Sequence, residues 1–157
     1  MKKLNNKSFT CVGVNSTIAI IKSNRFQIEK VLLITNSKAA KDQKLNRALK
    51  ALNSNFIKQV NGRTLSSKFK TQGVAITFSG DLILNESDSY PNQKDSCLLV
   101  LDQVKDPQNF GQIIRTAECA GIKGIIFSKH HSVPLTETAL QISQGAFVNM
   151  KFYEVTN

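Results

Sequence analysis

The chain has 157 residues, a formal net charge of +10, 41% apolar residues and three cysteines. That length holds one ordinary domain or two small ones, and the composition is that of a folded protein without low-complexity tracts. No stretch approaches the ~18 consecutive apolar residues of a membrane span. No long apolar run follows Lys2, Lys3 and Lys7 either, so neither a spanning helix nor a secretory signal is expected. Cys11, Cys97 and Cys119 are odd in number and lack Cys-x-x-Cys spacing. They point to neither a disulfide framework nor a zinc site, and they suit a reducing cytoplasm. His130 and His131, the only histidines, have no cysteine or acidic cluster beside them and read as a solvated loop pair without a metal.

The charge is unevenly spread. Residues 1–70 hold fifteen lysines and arginines against Glu29 and Asp42, whereas residues 71–157 hold six against nine acidic residues. A basic front half joined to a mildly acidic back half has the pattern of a polyanion-binding module attached to something else. A lysine-rich solvated face would give the same count.

In chain order, Val12 to Asn15 leads into a short helix near Asn15-Ser16-Thr17, where a capping side chain precedes Ile18, Ile20 and Ile21. Val31 to Ile34 is a compact apolar run ended by Thr-Asn-Ser and reads as a buried strand. Residues 39–53 read as an amphipathic helix with Leu45, Ala48, Leu49 and Leu52 on one stripe and Lys44, Arg47 and Lys50 outside it. Phe56 to Val60 reads as a strand, Asn61-Gly62 as a turn and Val74 to Phe78 as another strand, completing a small α/β domain over 1–80.

Residues 81–96 are polar and rich in breakers, as a linker would be. Beyond it, Cys97 to Leu101 is a continuous apolar run, the pattern of a parallel strand covered on both faces. A helix at about 109–120, a strand at Ile125 to Phe127, a helix near 136–143 and an apolar run from Phe147 to Val155 follow. Strand and helix in alternation predict right-handed crossovers and a parallel sheet, here of three strands with an unfinished edge.

The stretch from Leu101 to Gly121 carries the chemistry. Asp102 falls at the carboxyl end of a parallel strand, where open α/β sheets place ligand crevices. Asp106-Pro107 forces a turn, and Asn109 is placed to cap the next helix. Phe110, Ile113, Ile114 and Ala117 form that helix's inward stripe, leaving Arg115 outside it. An exposed helix start with an arginine suits phosphate; a capped helix with a surface arginine is the plainer reading.

Asp102, Asp106-Pro107, Asn109, Gly111, Arg115-Thr116-Ala117 and Gly121 together resemble the first motif of the SpoU/TrmH (SPOUT superfamily) RNA 2′-O-ribose methyltransferases. The likeness continues through Gly124-Ile125-Ile126, Ser143-x-Gly145-Ala146 and Val155-Thr156-Asn157. In the front half, Gly13-Val14-Asn15 and Gln72-Gly73-Val74 resemble the family's substrate-binding domain, an L30e-like α/β fold.

The resemblance implies an L30e-like domain over 1–80, a linker over 81–96 and the first part of a SpoU methyltransferase domain over 97–157. It implies S-adenosylmethionine-dependent 2′-O-methylation of rRNA or tRNA, with Asn109 and Arg115 in the active site. Arginine is a poor proton acceptor, so orienting and electrostatic stabilisation suit Arg115 better than base chemistry. Glu118 reads as structural, paired with a nearby base.

Family members continue into motifs containing Gly-x-Glu-Gly and Ser-Leu-Asn-x-Ser, which build the knot, the cofactor pocket and most of the dimer interface; neither pattern occurs here. The expectation is therefore an incomplete catalytic domain lacking the C-terminal knot and any cofactor-binding residue. It would be completed by a homodimer or a partner chain, or else act as an RNA-binding module without chemistry. Arg25, Lys44, Arg47 and Lys50 are the candidate RNA phosphate contacts, while Phe26, Phe56 and Phe69 read as core rather than base-stacking residues.

Overall fold

A computed structural model describes residues 7–62, 72–85 and 97–156. The chain divides into two compact units, Met1–Gly80 and Asp81–Asn157.

The first unit runs β1 (Ser8–Val12), α1 (Val14–Ser23), β2 (Gln27–Ile34), a 3₁₀ turn (Ala39–Lys41), α2 (Gln43–Leu49), a second 3₁₀ turn (Ser54–Phe56), β3 (Ile57–Val60) and β4 (Val74–Ser79). Its sheet has the order β1-β4-β2-β3, with β4 antiparallel to both neighbours and β2 parallel to β3. β4 lies between two strands, and Val74, Ala75, Ile76 and Phe78 are all buried, as a central strand requires. Phe78 anchors an aromatic cluster with Phe9 and Phe26, at centroid distances of 5.9 and 4.9 Å.

Several local expectations are corrected. α1 starts one residue after Gly13 and has no side-chain cap; the Thr17 hydroxyl instead donates to the Gly13 carbonyl at 2.9 Å. Thr17 therefore bonds backward along the helix, and the polar run does not mark its start. β2 begins at Gln27, with a register shift between Ile28 and Lys30, because backbone pairing with β4 carries a polar lead-in that hydropathy does not mark. The helix expected over 39–53 is shorter. Asp42 breaks it by taking an extended backbone and accepting from Leu45 N at 2.8 Å, which separates a 3₁₀ turn from α2. Leu45, Ala48 and Leu49 are buried as the stripe requires, and Leu52 lies beyond the helix, half-buried. Phe26 is core, Phe56 is exposed on its 3₁₀ turn, and Phe69 lies outside the described residues.

The second unit runs β5 (Ile83–Asn85), β6 (Leu98–Leu101), α3 (Pro107–Cys119), β7 (Gly124–Ser128), α4 (Glu137–Ile142), a 3₁₀ turn (Ala146–Asn149) and β8 (Lys151–Val155). The sheet order is β5-β8-β7-β6, and every pairing is parallel, as strand–helix alternation predicts. Among the described residues it has four strands rather than three. Ile83 to Asn85, in the stretch read as linker, pairs with Phe152 to Glu154. Three residues are too few to show a period, so only pairing reveals the strand.

The core lies on the central strands, where Ile125, Phe127, Phe152 and Tyr153 are at most 2% exposed. β6 differs from its expectation: among the described residues it is an edge strand, and Val100 is 68% exposed. A four-residue apolar run does not reveal whether a second neighbour exists.

Candidate functional site

The carboxyl ends of β6 and β7 and the start of α3 surround the motif residues. After Leu101 the chain turns through exposed Asp102 and through Gln103, a non-glycine residue at φ 54°. Val133 N donates to Val104 O at 2.7 Å, which ties the segment after β6 to the segment after β7. Asp106 then caps α3: its two carboxylate oxygens accept from Gln108 N (3.0 Å) and Asn109 N (3.3 Å), and Pro107 occupies the first turn. Asn109 is therefore not the cap. It is the third residue of the helix, still in its first turn, and its side chain is exposed.

α3 has two working faces. Phe110, Gly111, Ile114 and Ala117 are buried, and Phe110 meets Phe127 at 5.3 Å between centroids. Ile113, expected in that stripe, is half-buried and faces a different way. With Asn109, Gln112 and Thr116 it lines a hollow of about 680 Å³, closed on the sheet side by Leu99 and by Val104. Spacings of three and four along a helix put these residues on one face.

Arg115 is exposed and does not line the hollow. Six residues separate it from Asn109, which is about 9 Å along the axis and about 120° around it. The two expected active-site residues thus flank one helix and do not converge on one point within this chain. Glu118 accepts from the Asn149 amide at 2.9 Å, which ties α3 to the 3₁₀ turn before β8; its partner is an amide and not a base.

The hollow's volume falls within the ~300–1,000 Å³ usual for small-molecule sites. Its lining has amides, a threonine and Lys105 but no carboxylate. S-adenosylmethionine carries a sulfonium, an ammonium and a carboxylate; Lys105 suits the carboxylate, but no side chain of this lining offers an anion to the two cations. Among the described residues there is also no cluster of three or more metal-ligating side chains, and no helix is long and apolar enough to cross a membrane. Cys11 is buried, Cys97 and Cys119 are exposed, and none of the three is in a disulfide among the described residues.

In the first unit, Arg25, Lys44, Arg47 and Lys50 are all exposed. Lys44 and Arg47 line a groove of about 290 Å³ between α1 and α2, together with Lys22 and Asn24, which sequence reasoning did not single out. Arg25 stacks its guanidinium over the Phe26 ring at 5.3 Å, and burial lowers its pKa from the ordinary arginine value. Neither Arg25 nor Lys50 lines the groove. Lys22 and Asn24 sit at the end of one helix and pair in space with another, a relation that no period along the chain encodes.

A parallel α/β unit with a capped helix beginning beyond a strand's carboxyl end is the architecture of an open-sheet ligand-binding domain. The SpoU rRNA Methylase family profile matches residues 96–157 of it. The 23S rRNA (guanosine-2′-O-)-methyltransferase RlmB of Acinetobacter baylyi is 34% identical over 154 residues, covering 92% of this chain and 60% of that protein. RlmB of Haemophilus ducreyi is 34% identical over 137 residues, covering 82% and 56%. The chain thus spans a little over half the length of these curated relatives.

Among solved structures, the SpoU methyltransferase AviRb from Streptomyces viridochromogenes, in complex with the cofactor AdoMet, matches with a TM-score of 0.76 at 16% identity. The match covers 96% of this chain and 55% of that one. An rRNA methyltransferase from Sinorhizobium meliloti matches with a TM-score of 0.65 at 22% identity, over 96% and 55%. At such identities the likeness is one of fold. The sequence likeness places residues 96–157 in the SpoU rRNA Methylase family, and the fold likeness to SpoU methyltransferases extends over nearly the whole chain.

Proposed function

We propose that this chain acts in 2′-O-ribose methylation of ribosomal RNA, with Asn109 and Arg115 supplying the RNA-side chemistry. The observation that carries the reading is the position of both residues on α3, a helix that lies wholly inside the segment matched by the SpoU profile. RlmB relatives that cover most of the chain support rRNA over tRNA.

The guanidinium of Arg115 offers forked donors to the 2′-oxygen as negative charge develops there. It has donors but no acceptor lone pair, so it stabilises that charge and does not take the proton. The Asn109 amide both donates and accepts, which suits orienting a ribose or its phosphate. S-adenosylmethionine is the methyl donor this family membership requires. The hollow beside α3 offers no carboxylate to its cationic groups, which favours a donor site completed by other residues or by a partner chain.

The same lack favours a second reading, an RNA-binding chain with no chemistry of its own. Titrating the purified chain with S-adenosylmethionine in a calorimeter, with labelled-methyl transfer to 23S rRNA measured in parallel, separates the two. Ribose-linked label that falls about 10²–10³-fold in Arg115→Ala and is not restored in Arg115→Lys supports the first. Label on a base, or transfer indifferent to Arg115, overturns it. No heat and no transfer, with RNA binding intact, selects the second reading.

A further inference from the structure

We infer that the groove between α1 and α2 is a track for the RNA sugar-phosphate backbone, gripped by Lys22, Lys44 and Arg47. The inference rests on the reading that RNA is this protein's substrate, but it does not depend on methyl transfer by this chain.

The geometry begins with helix spacing. Lys44, Arg47 and Ala51 are separated by three and four residues, so they share one side of α2 and its continuation. Lys22 stands across from them in the last turn of α1. Ala48 and Ala51 have short side chains, which leaves the floor low, and buried Ile21 closes it. The result is a trough with cationic rims and an apolar bed.

Among the described residues, no side chain lining the trough neutralises those rims. Its lining contains no acidic residue. The two carboxylates of the basic front half are engaged elsewhere, Asp42 in capping α2 and Glu29 in accepting from the Ser8 hydroxyl at 2.7 Å. A polyanion therefore meets an uncompensated field, which is the electrostatic footprint of nucleic-acid binding.

Size and chemistry select the polymer. At about 290 Å³ the trough lies just under the ~300–1,000 Å³ of sites that enclose a small molecule. Three cations lining one groove match the repeated phosphates of a nucleic-acid chain better than a single small metabolite. Asn24, the left-handed residue that ends α1, places an exposed amide at one end of the trough, able to meet a ribose hydroxyl or a base edge.

The test is binding of a labelled mixed-sequence oligoribonucleotide to the whole chain over a salt series. The variants are Lys22→Ala, Lys44→Ala, Arg47→Ala and Ala51→Glu, with Lys58→Ala, an exposed lysine of β3 outside the trough, as the control. Each rim variant is expected to weaken binding and to lower the log–log salt slope by about 0.7 for a single strand or about 0.9 for a duplex. Ala51→Glu, which adds a carboxylate to an exposed position of the bed, is expected to weaken binding more than the control does.

Rim variants no different from Lys58→Ala, or a chain that binds no RNA, would overturn the inference. So would displacement of the RNA by inorganic phosphate alone at matched ionic strength, since the trough would then be a small-anion site. Methyl transfer is scored separately. Intact transfer with indifferent rim variants sinks the trough alone, and sensitive rim variants without transfer sink only the catalytic reading.

Discussion

Gly111 shows how much one residue of the motif owes to packing. A Cβ built there would lie 2.7 Å from the Ala139 carbonyl oxygen and 2.7 Å from Ile142 Cβ, so only glycine lets α3 approach α4 this closely. Gly111→Ala is expected to destabilise the second unit by about 1–3 kcal/mol through overpacking, read as a lowered denaturation midpoint in urea. Asp106 has a comparable structural weight. Asp106→Ala removes acceptors from two backbone N–H groups and is expected to cost about 1 kcal/mol. Gly145 supplies a left-handed residue (φ 94°) just past α4 that starts the next 3₁₀ turn. Motif positions thus divide into residues that shape the helix pair and residues left exposed on α3, and Asn109 and Arg115 fall in the second group.

At the level of elements, the two sheets distribute stability unequally. β7 and β8 occupy the middle of the second sheet, and Ile125 is fully buried, so Ile125→Ala is expected to cost about 2–5 kcal/mol. β6 pairs only with β7 among the described residues, and its Val100 faces outward. Val100→Thr is expected to change stability by less than about 0.5 kcal/mol. Amide hydrogen exchange should follow the same gradient, slowest on β7 and β8 and faster on β6. The motif hollow lies on this lightly held side, where Leu99 of β6 and the outer face of α3 meet.

For the whole molecule, the first unit holds most of the positive charge, and the second holds the family motif. Salt should therefore act on RNA affinity through the first unit. The affinity of the intact chain for RNA is expected to fall linearly on a log–log salt plot, and Arg115→Ala should shift that slope by no more than the single contact it removes, about one unit. A salt-independent affinity would show that the charge asymmetry is only a solvated surface.

The sequence by itself determined the class of most of the longer segments and the likeness to the SpoU family. Continuous apolar runs, helix-spaced stripes and breaker clusters record local hydrophobic periodicity, and Asp102 through Gly121 records a motif at fixed spacing. It did not determine what depends on a neighbour distant along the chain. Asp106 and not Asn109 caps α3, because the cap follows from backbone geometry at the turn. β5 exists because β8 offers it backbone partners, and β6 is an edge because the described chain places no strand beyond it. Lys22 joins Lys44 and Arg47 only because two helices pack side by side. Periodicity along a chain encodes which face of an element is buried, but not which other element lies against it, and that pairing was decided by the tertiary structure alone.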